Sequence, residues 1–115
     1  MKIKRYDDDQ ITFSDGSSLT YCHNQDCCER NWADFSVLGV FYDGEEFDDY
    51  EVIPADGCGF LLRLLGCKNF AERKNILIPC YSDQNGYYST ELTIIRRNKE
   101  GDEVSAVRLD CEERI

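Results

Sequence analysis

Alternation of apolar and polar residues dominates this chain and predicts β-strands. It runs over 10–14 and again over 17–22, and Asp15-Gly16 lies between the two runs. An Asp-Gly pair between alternating runs is typical of a two-stranded hairpin. A further strand is predicted at 2–6, immediately before this hairpin.

The second half of the chain predicts more strands. Residues 59–66 are apolar apart from Arg63, which is typical of an interior strand covered on both faces. Pro79 places the end of the next strand near the edge of a sheet, because proline cannot donate to a ladder. Asn85-Gly86 predicts a tight turn into an alternating strand. The strands predicted here are 59–66, 75–78, 87–96 and 103–111, with a turn at 54–57.

One stretch has a helical period instead. Cys28, Trp32 and Phe35 follow each other at i, i+4 and i+7, which places three apolar side chains on one helix face. Asp26 is a suitable N-cap, and Glu29 stands three residues later, at the spacing of a capping box. The pattern predicts a helix just after the second hairpin strand.

These elements predict an α+β fold. The principal helix is predicted from Cys27 to Leu38, ended by Gly39, and packed on a mainly antiparallel β-sheet of about five to six strands. A chain of 115 residues with 42% hydrophobic residues has enough material for one core. We therefore expect a single domain over 1–115.

The charge of the chain is strongly negative and unevenly distributed. The net charge is -10, and residues 1–56 contain 14 acidic and 4 basic residues, whereas residues 57–115 contain 9 of each. The densest run, 43–51, is predicted to be a solvated loop or an edge strand anchored by Phe47 and Tyr50. Its carboxylates are Asp43, Glu45, Glu46, Asp48, Asp49 and Glu51.

This charge excludes some function classes and favours another. Direct binding of nucleic acid needs a basic patch that neutralises phosphates, and anionic membrane surfaces attract the same kind of patch. A basic protein partner is compatible with the charge, and the run 43–51 together with Asp7–Asp9 and exposed tyrosines would contact it. The oligomeric state is not predicted.

The N-terminal residues and the cysteines of the sequence predict a cytoplasmic protein. The start, Met1-Lys2-Ile3, leads into acidic residues without an apolar core segment, so no signal peptide is predicted. The seven cysteines are irregularly spaced and are expected to be reduced thiols. No glycine-rich phosphate cradle is present, and no cofactor is expected.

Two motifs stand out in the sequence. They are His23-x-x-Asp26-Cys27-Cys28-Glu29 with Ala33-Asp34-Phe35, and Pro79-Cys80-Tyr81-Ser82-Asp83-Gln84-Asn85-Gly86-Tyr87-Tyr88-Ser89 with Leu92. With these motifs the chain resembles a family of small, uncharacterised bacterial and phage proteins, a domain of unknown function, over most of residues 10–96. The resemblance implies a cytoplasmic protein of phage or mobile-element type and supplies no activity.

The first motif contains metal-ligand and nucleophile residue types. His23 and Cys27 could ligate a metal ion, but adjacent cysteines on a helix point about 100° apart, so Cys28 would not join Cys27 on one ion. Cys27 at a helix start could instead be a nucleophile with His23 as base and Asn85 orienting it. The alternative is structural, with Cys28 in the core and His23 hydrogen-bonded locally.

The second motif has two interpretations as well. Asn85-Gly86 is ordinary turn chemistry, and Tyr87 and Tyr88 lie on opposite faces of a strand. The same tyrosines beside polar residues could line a pocket or a protein-binding surface.

Two functional hypotheses follow. The first is a non-enzymatic acidic interaction protein, for example an inhibitor of a basic, nucleic-acid-handling host defence protein, that binds through 43–51, Tyr87 and Tyr88. The second is a small cysteine/histidine-based enzyme or ligand-binding domain, built from the His23–Glu29 and Tyr81–Tyr88 motifs.

Overall fold

The described part of the chain forms two β-sheets and one short helical segment. The computed structural model describes residues 1–22, 30–55, 57–67, 73–83 and 90–114. Its strands are β1 (Ile3–Tyr6), β2 (Gln10–Phe13), β3 (Ser18–Cys22), β4 (Arg30–Ala33), β5 (Asp49–Ala55), β6 (Gly59–Leu65), β7 (Arg73–Asp83), β8 (Glu91–Arg97), β9 (Glu103–Asp110) and β10 (Glu112–Arg114). A 3₁₀ turn, Phe35–Val37, leads into the helix α1 (Leu38–Phe41).

The first sheet has the order β1-β2-β3-β8-β9, and all its neighbours are antiparallel. The predicted hairpin at its centre is confirmed, with Ile11 opposite Leu19. The Phe13 amide donates to the Ser17 carbonyl over 2.9 Å, and Gly16 closes the turn with φ +90°. A positive φ at this position is easily adopted by glycine and rarely by residues with a Cβ.

The second sheet is organised around the long strand β7. Residues 73–79 of β7 pair with β6, which pairs with the edge strand β5. Residues 80–83 pair with antiparallel β4, and 81–83 also pair with parallel β10. Pro79 therefore does not end the strand, contrary to the prediction. It lies opposite Gly59, where the pairing with β6 begins, so the missing amide costs little.

The predicted α+β class is wrong, because the chain is essentially all-β. Residues 30–33 of the predicted helix form β4, and Asn31 and Ala33 are buried while Arg30 is exposed, which is a period of two. Pairing with the C-terminal part of β7 satisfies this backbone instead of helical bonds. Gly39 does not end a helix either but lies inside the four-residue α1. The remainder of the prediction, 27–29, lies outside the described residues.

The core lies between the buried faces of the two sheets. Burial alternates along β6, whose inner residues are buried and whose outer residues are half-buried. The strand is therefore central in the sheet, but it is fully covered on one face only and not on both as predicted. The inner face of the first sheet contributes Ile11, Phe13, Leu19, Leu92, Ile94 and Leu109. The facing residues of the second sheet include Tyr50, Phe60, Leu62, Leu64, Ile76 and Ile78.

A buried polar bond joins the sheets at one end. Asn31 on β4 is 4% exposed, and its amide nitrogen donates to the Glu91 carbonyl of β8 over 3.0 Å. The Ser82 hydroxyl on β7 donates to the Asn31 amide oxygen over 2.5 Å. Buried amides are tolerated when they are paired in this way, and such a bond fixes how β4 faces β8.

Candidate protein-interaction surface

The acidic segment, residues 43–51, is partly a loop and partly an edge strand, which are the two forms predicted for it. Residues 43–48 form no strand, and 49–51 begin the edge strand β5. The predicted anchors are confirmed, since Phe47 and Tyr50 are each 1% exposed. Both rings contact Phe13, with Tyr50 stacked at 4.6 Å between centroids and Phe47 edge-on at 6.1 Å. Apolar burial therefore fixes the backbone that carries the carboxylates.

Residues 39–47 run antiparallel along the outer edge of β1. The amide of Phe47 donates to the Met1 carbonyl over 2.9 Å, and the terminal amine of Met1 donates to the Phe47 carbonyl over 2.6 Å. The Ile3 amide donates to the Tyr42 hydroxyl over 3.2 Å. At the far end, the Tyr6 hydroxyl lies beside Gly39. These contacts cover the start of the sheet's outer edge, at Met1 and Ile3.

Lys74 of β7 holds the first part of the acidic segment. Its ammonium lies 3.2 Å from Glu45 Oε1 and 3.5 Å from Asp43 Oδ2. The Glu45 side chain is only 4% exposed, and its oxygens accept no well-aligned hydrogen bond from the described residues, so Lys74 is its compensating charge. Burial opposes the charged ammonium, but the interactions with Glu45 and Asp43 outweigh it and raise the pKa of Lys74.

Two further carboxylates are paired on β5. Asp49 accepts from Arg96 of β8 over 2.5 Å, and Glu51 lies 3.7 Å from Arg63 of β6. Burial opposes ionisation of Asp49, but the bonds from Arg96 and from the Tyr50 amide outweigh it and hold the pKa of Asp49 below its ordinary value. The Arg96 guanidinium also lies 4.1 Å above the Tyr50 ring. Arg96 thus connects the acidic segment to the first sheet.

Five carboxylates of the segment are exposed, and two of them, Glu46 and Asp48, form no ion pair with a described residue. The Asp48 amide donates to the Leu65 carbonyl over 2.7 Å. Its carboxylate lies against Gly66, which has φ +75° and where any Cβ would overlap it. Gly66 is a positioning residue that sequence reasoning missed, and a glycine directly after an apolar strand was the only signal for it.

A second group of carboxylates lies at the turn between β1 and β2. Asp7 Oδ1 accepts from the amides of Asp9 and Gln10 over 2.8 and 3.0 Å. The Tyr21 hydroxyl donates to the Asp8 carbonyl over 2.9 Å. The side chains of Asp8 and Asp9 are exposed and make no ion pair with any residue that the structure describes.

We call Asp8, Asp9, Glu46 and Asp48 the unpaired acids. Because 39–47 runs antiparallel to 1–6, the two pairs lie at opposite ends of β1, roughly 20 Å apart at about 3.3 Å per residue. The exposed bases Lys2, Lys4 and Arg5 lie between them. The surface therefore offers two acidic ends rather than one continuous acidic face.

Most residues of the two sequence motifs lie outside the described residues. This applies to His23, Cys27, Asn85, Tyr87 and Tyr88, so the metal, nucleophile and tyrosine-surface predictions stay predictions. The strands that lead into the motifs are described, however. Arg30, which follows the first motif segment, is paired with Asp83, which precedes the undescribed part of the second. The fold brings these two attachment points together.

The described residues beside these attachment points form an aromatic cluster. Trp32 on β4 faces Tyr81 on β7, with ring centroids 5.6 Å apart, and the Arg30 guanidinium lies 4.7 Å from the Trp32 ring. Cross-strand aromatic pairs of this kind stabilise a sheet. Tyr81 therefore has a structural role in the pairing of β4 with β7.

Comparison with known proteins identifies the family. Residues 1–94 match a family described as a domain of unknown function, DUF7448. The chain belongs to this family. The match covers β1 to β7, the acidic segment, the motif segments and the start of β8, whereas β9 and β10 lie beyond it. A search of the curated proteins and a search of the solved structures each found no match.

The described residues of this DUF7448 chain add three observations on other kinds of site. No three His, Cys, Asp or Glu side chains among them converge as a metal site would require. The five described cysteines are free thiols, of which Cys22 and Cys58 are exposed. None of the described helices has the length and apolar character needed to cross a bilayer.

Proposed function

We propose that this chain is a non-enzymatic interaction protein whose unpaired acids bind a basic protein partner. The proposal rests on one difference within the acidic segment: four of its carboxylates are paired with bases among the described residues, and two are not. Asp43, Glu45, Asp49 and Glu51 are paired with bases on three different strands, β6, β7 and β8. These pairs and the buried rings fix the backbone, so Glu46 and Asp48 are presented from a rigid support.

A rigid support favours binding over a merely solvated loop. Carboxylates that are already ordered lose little conformational entropy when a partner's lysine or arginine meets them. Complementary charge also raises the association rate and makes it dependent on salt. In its finer form, the proposal is a cytoplasmic protein of phage or mobile-element type that inhibits a nucleic-acid-handling host defence protein. Such a partner carries the basic phosphate-binding patch that these acids would occupy.

Neutralising the unpaired acids is expected to weaken capture of the partner. The variant Asp8→Asn/Asp9→Asn/Glu46→Gln/Asp48→Asn removes four charges from the proposed contacts. The tagged wild-type chain is expected to capture basic proteins from host lysate at low salt and to release them at high salt. The variant should capture clearly less of the same proteins, as quantified by mass spectrometry.

The matched control removes the same number of charges elsewhere. Glu100, Asp102, Glu103 and Glu112 are exposed, and none forms an ion pair within the described ranges. The corresponding Gln and Asn variant should capture the partner as well as the wild type does. Equal loss in both variants, or capture that is indifferent to salt, would contradict the proposal.

The pairing of Arg30 with Asp83 favours a second candidate function. A small enzyme or ligand-binding domain would require the His23–Glu29 and Tyr81–Tyr88 motifs to meet, and this pairing joins the strands that lead into both. Cys27 would then be the nucleophile, His23 its base and Asn85 the orienting residue.

The second candidate predicts one unusually reactive thiol. Cys27 should react with iodoacetamide at neutral pH at least about tenfold faster than Cys22 or Cys58, since a catalytic thiol is more ionised than an ordinary one. The two exposed thiols serve as internal references, and peptide mass spectrometry reports each rate. His23→Ala should slow Cys27 alone. Equal rates at the three cysteines would remove this candidate.

A further inference from the structure

Three large apolar side chains are exposed where the helical segment meets β1. Val40 is 78% exposed and Phe41 57%, whereas Leu38 in the same helix is 1% exposed and holds it to the core. Tyr6 at the end of β1 is 41% exposed. Scattered apolar residues on a surface are normal, so their arrangement decides whether they have a role.

Tyr6 meets the helix at Gly39. A Cβ on Gly39 would lie 2.7 Å from the Tyr6 hydroxyl, so this hydroxyl lies against the helix backbone, and any larger residue would displace it. Val40 and Phe41 directly follow this glycine. We call Tyr6, Val40 and Phe41 the apolar patch. Its backbone is tied down by the hydrogen bond from the Tyr42 amide to the Leu38 carbonyl, 3.1 Å long.

Carboxylates flank the apolar patch in the sequence, and the exposed bases Lys4 and Arg5 precede Tyr6. Asp7, Asp8 and Asp9 directly follow Tyr6, and Asp43 stands two residues after Phe41. On the neighbouring strand β2, Thr12 lies opposite Arg5, and the buried Ile11 lies opposite Tyr6. Arg5 and Tyr6 therefore lie on opposite faces of the first sheet. An apolar centre with charged residues at its rim is the usual anatomy of a protein interface.

We propose that the apolar patch is the anchor point of the partner-binding surface and that it receives a segment in which apolar side chains alternate with arginine or lysine. This rests on the proposed function, since it takes the basic character of the partner from there. Charge complementarity selects the occupant: the carboxylates beside the patch would repel an acidic segment or a second copy of this chain, which carries the same net charge of -10. The aromatic residues supply affinity, and the acids supply selection by charge.

Two synthetic peptides of equal length and equal positive charge test this proposal. One alternates arginine with leucine, and the other alternates arginine with serine. The wild-type chain is expected to bind the arginine–leucine peptide at least about tenfold more tightly, by calorimetry. Val40→Ser/Phe41→Ser should remove this preference and leave the weaker binding of the arginine–serine peptide unchanged. The control Leu77→Ser/Val104→Ser changes two exposed apolar residues elsewhere and should have no effect.

The outcomes separate this inference from the proposed function. If both peptides bind equally, or if both serine variants weaken binding alike, the apolar patch is not the anchor, although the acids still bind a basic partner. If neither peptide binds even at low salt, the proposed function fails together with the inference. Near-native thermal transitions of both variants show that the comparison concerns the surface and not the fold.

Discussion

Replacing Phe13 with alanine is expected to lower the free energy of unfolding by about 3–5 kcal/mol. Phe13 is fully buried, and it packs between the Tyr50 ring, stacked at 4.6 Å, and the edge-on Phe47 ring at 6.1 Å. Truncation removes apolar burial from the first sheet and leaves a cavity beneath the two anchors of the acidic segment. Urea unfolding, analysed as a two-state transition, measures the loss.

A phenylalanine at the surface provides the matched control. Phe41→Ala changes the same side chain at a position that is 57% exposed and should alter the free energy of unfolding by no more than about 0.5 kcal/mol. Phe13→Leu should cost clearly less than Phe13→Ala, because most of the buried volume is kept. A loss below about 1 kcal/mol for Phe13→Ala would mean that the rings do not carry the acidic segment.

Replacing Lys74 with methionine is expected to cost about 3–5 kcal/mol as well. The substitution keeps the apolar stem but removes the charge that lies 3.2 Å from Glu45, whose side chain is 4% exposed. A buried carboxylate without a compensating charge is strongly unfavourable. Replacing both members of an ion pair with apolar residues, in contrast, often changes the free energy of unfolding little. The double variant Lys74→Met/Glu45→Leu should therefore recover most of the lost stability.

A control at another lysine, together with the double variant, makes the prediction specific. Lys99 is exposed, and Lys99→Met should leave the free energy of unfolding nearly unchanged. The Lys74–Glu45 pair would be unimportant if Lys74→Met cost less than about 1 kcal/mol, or if adding Glu45→Leu made the protein less stable still. The expected recovery would show that Lys74 positions the acidic segment through Glu45.

The sequence predicts those parts of the fold that depend on local chemistry. Asp15-Gly16 fixes a hairpin within a few residues, because a turn with positive φ needs glycine and the runs beside it alternate. The sequence also predicts strands at 2–6, 87–96 and 103–111, which overlap β1, β8 and β9. Leu92 and Ile94 are buried on one face as the alternation predicts.

The prediction of a helix was wrong because the same stretch fits both a helical period and the period of a strand. Trp32 and Phe35 fit a helical stripe, but Asn31 and Ala33 fit a strand, and pairing with β7 about fifty residues later decides between them. That pairing is not visible locally, since tertiary contacts override weak propensity. Asp34 caps the 3₁₀ turn, since its carboxylate accepts from the Ser36 amide over 3.1 Å.

The candidate interaction surface was predicted as a stretch of sequence, without the roles of its residues. Composition identifies the acids of 43–51 and the apolar anchors Phe47 and Tyr50. It does not reveal that Glu45 is buried against Lys74, because this ion pair joins residues far apart in the chain. The apolar patch was missed as well, since it depends on Tyr6 meeting Gly39.

The most direct test of the central claim is the affinity for the captured basic partner, measured by calorimetry at low and high salt. Exposed ion pairs contribute about 0.2–1 kcal/mol each, so neutralising Asp8, Asp9, Glu46 and Asp48 together should weaken binding by about 1–4 kcal/mol, which is roughly fivefold to a thousandfold, and flatten its salt dependence. Neutralising Glu100, Asp102, Glu103 and Glu112 should change the affinity by less than about twofold. Equal weakening by the two sets would contradict the claim, because the net charge rather than the unpaired acids would then govern binding.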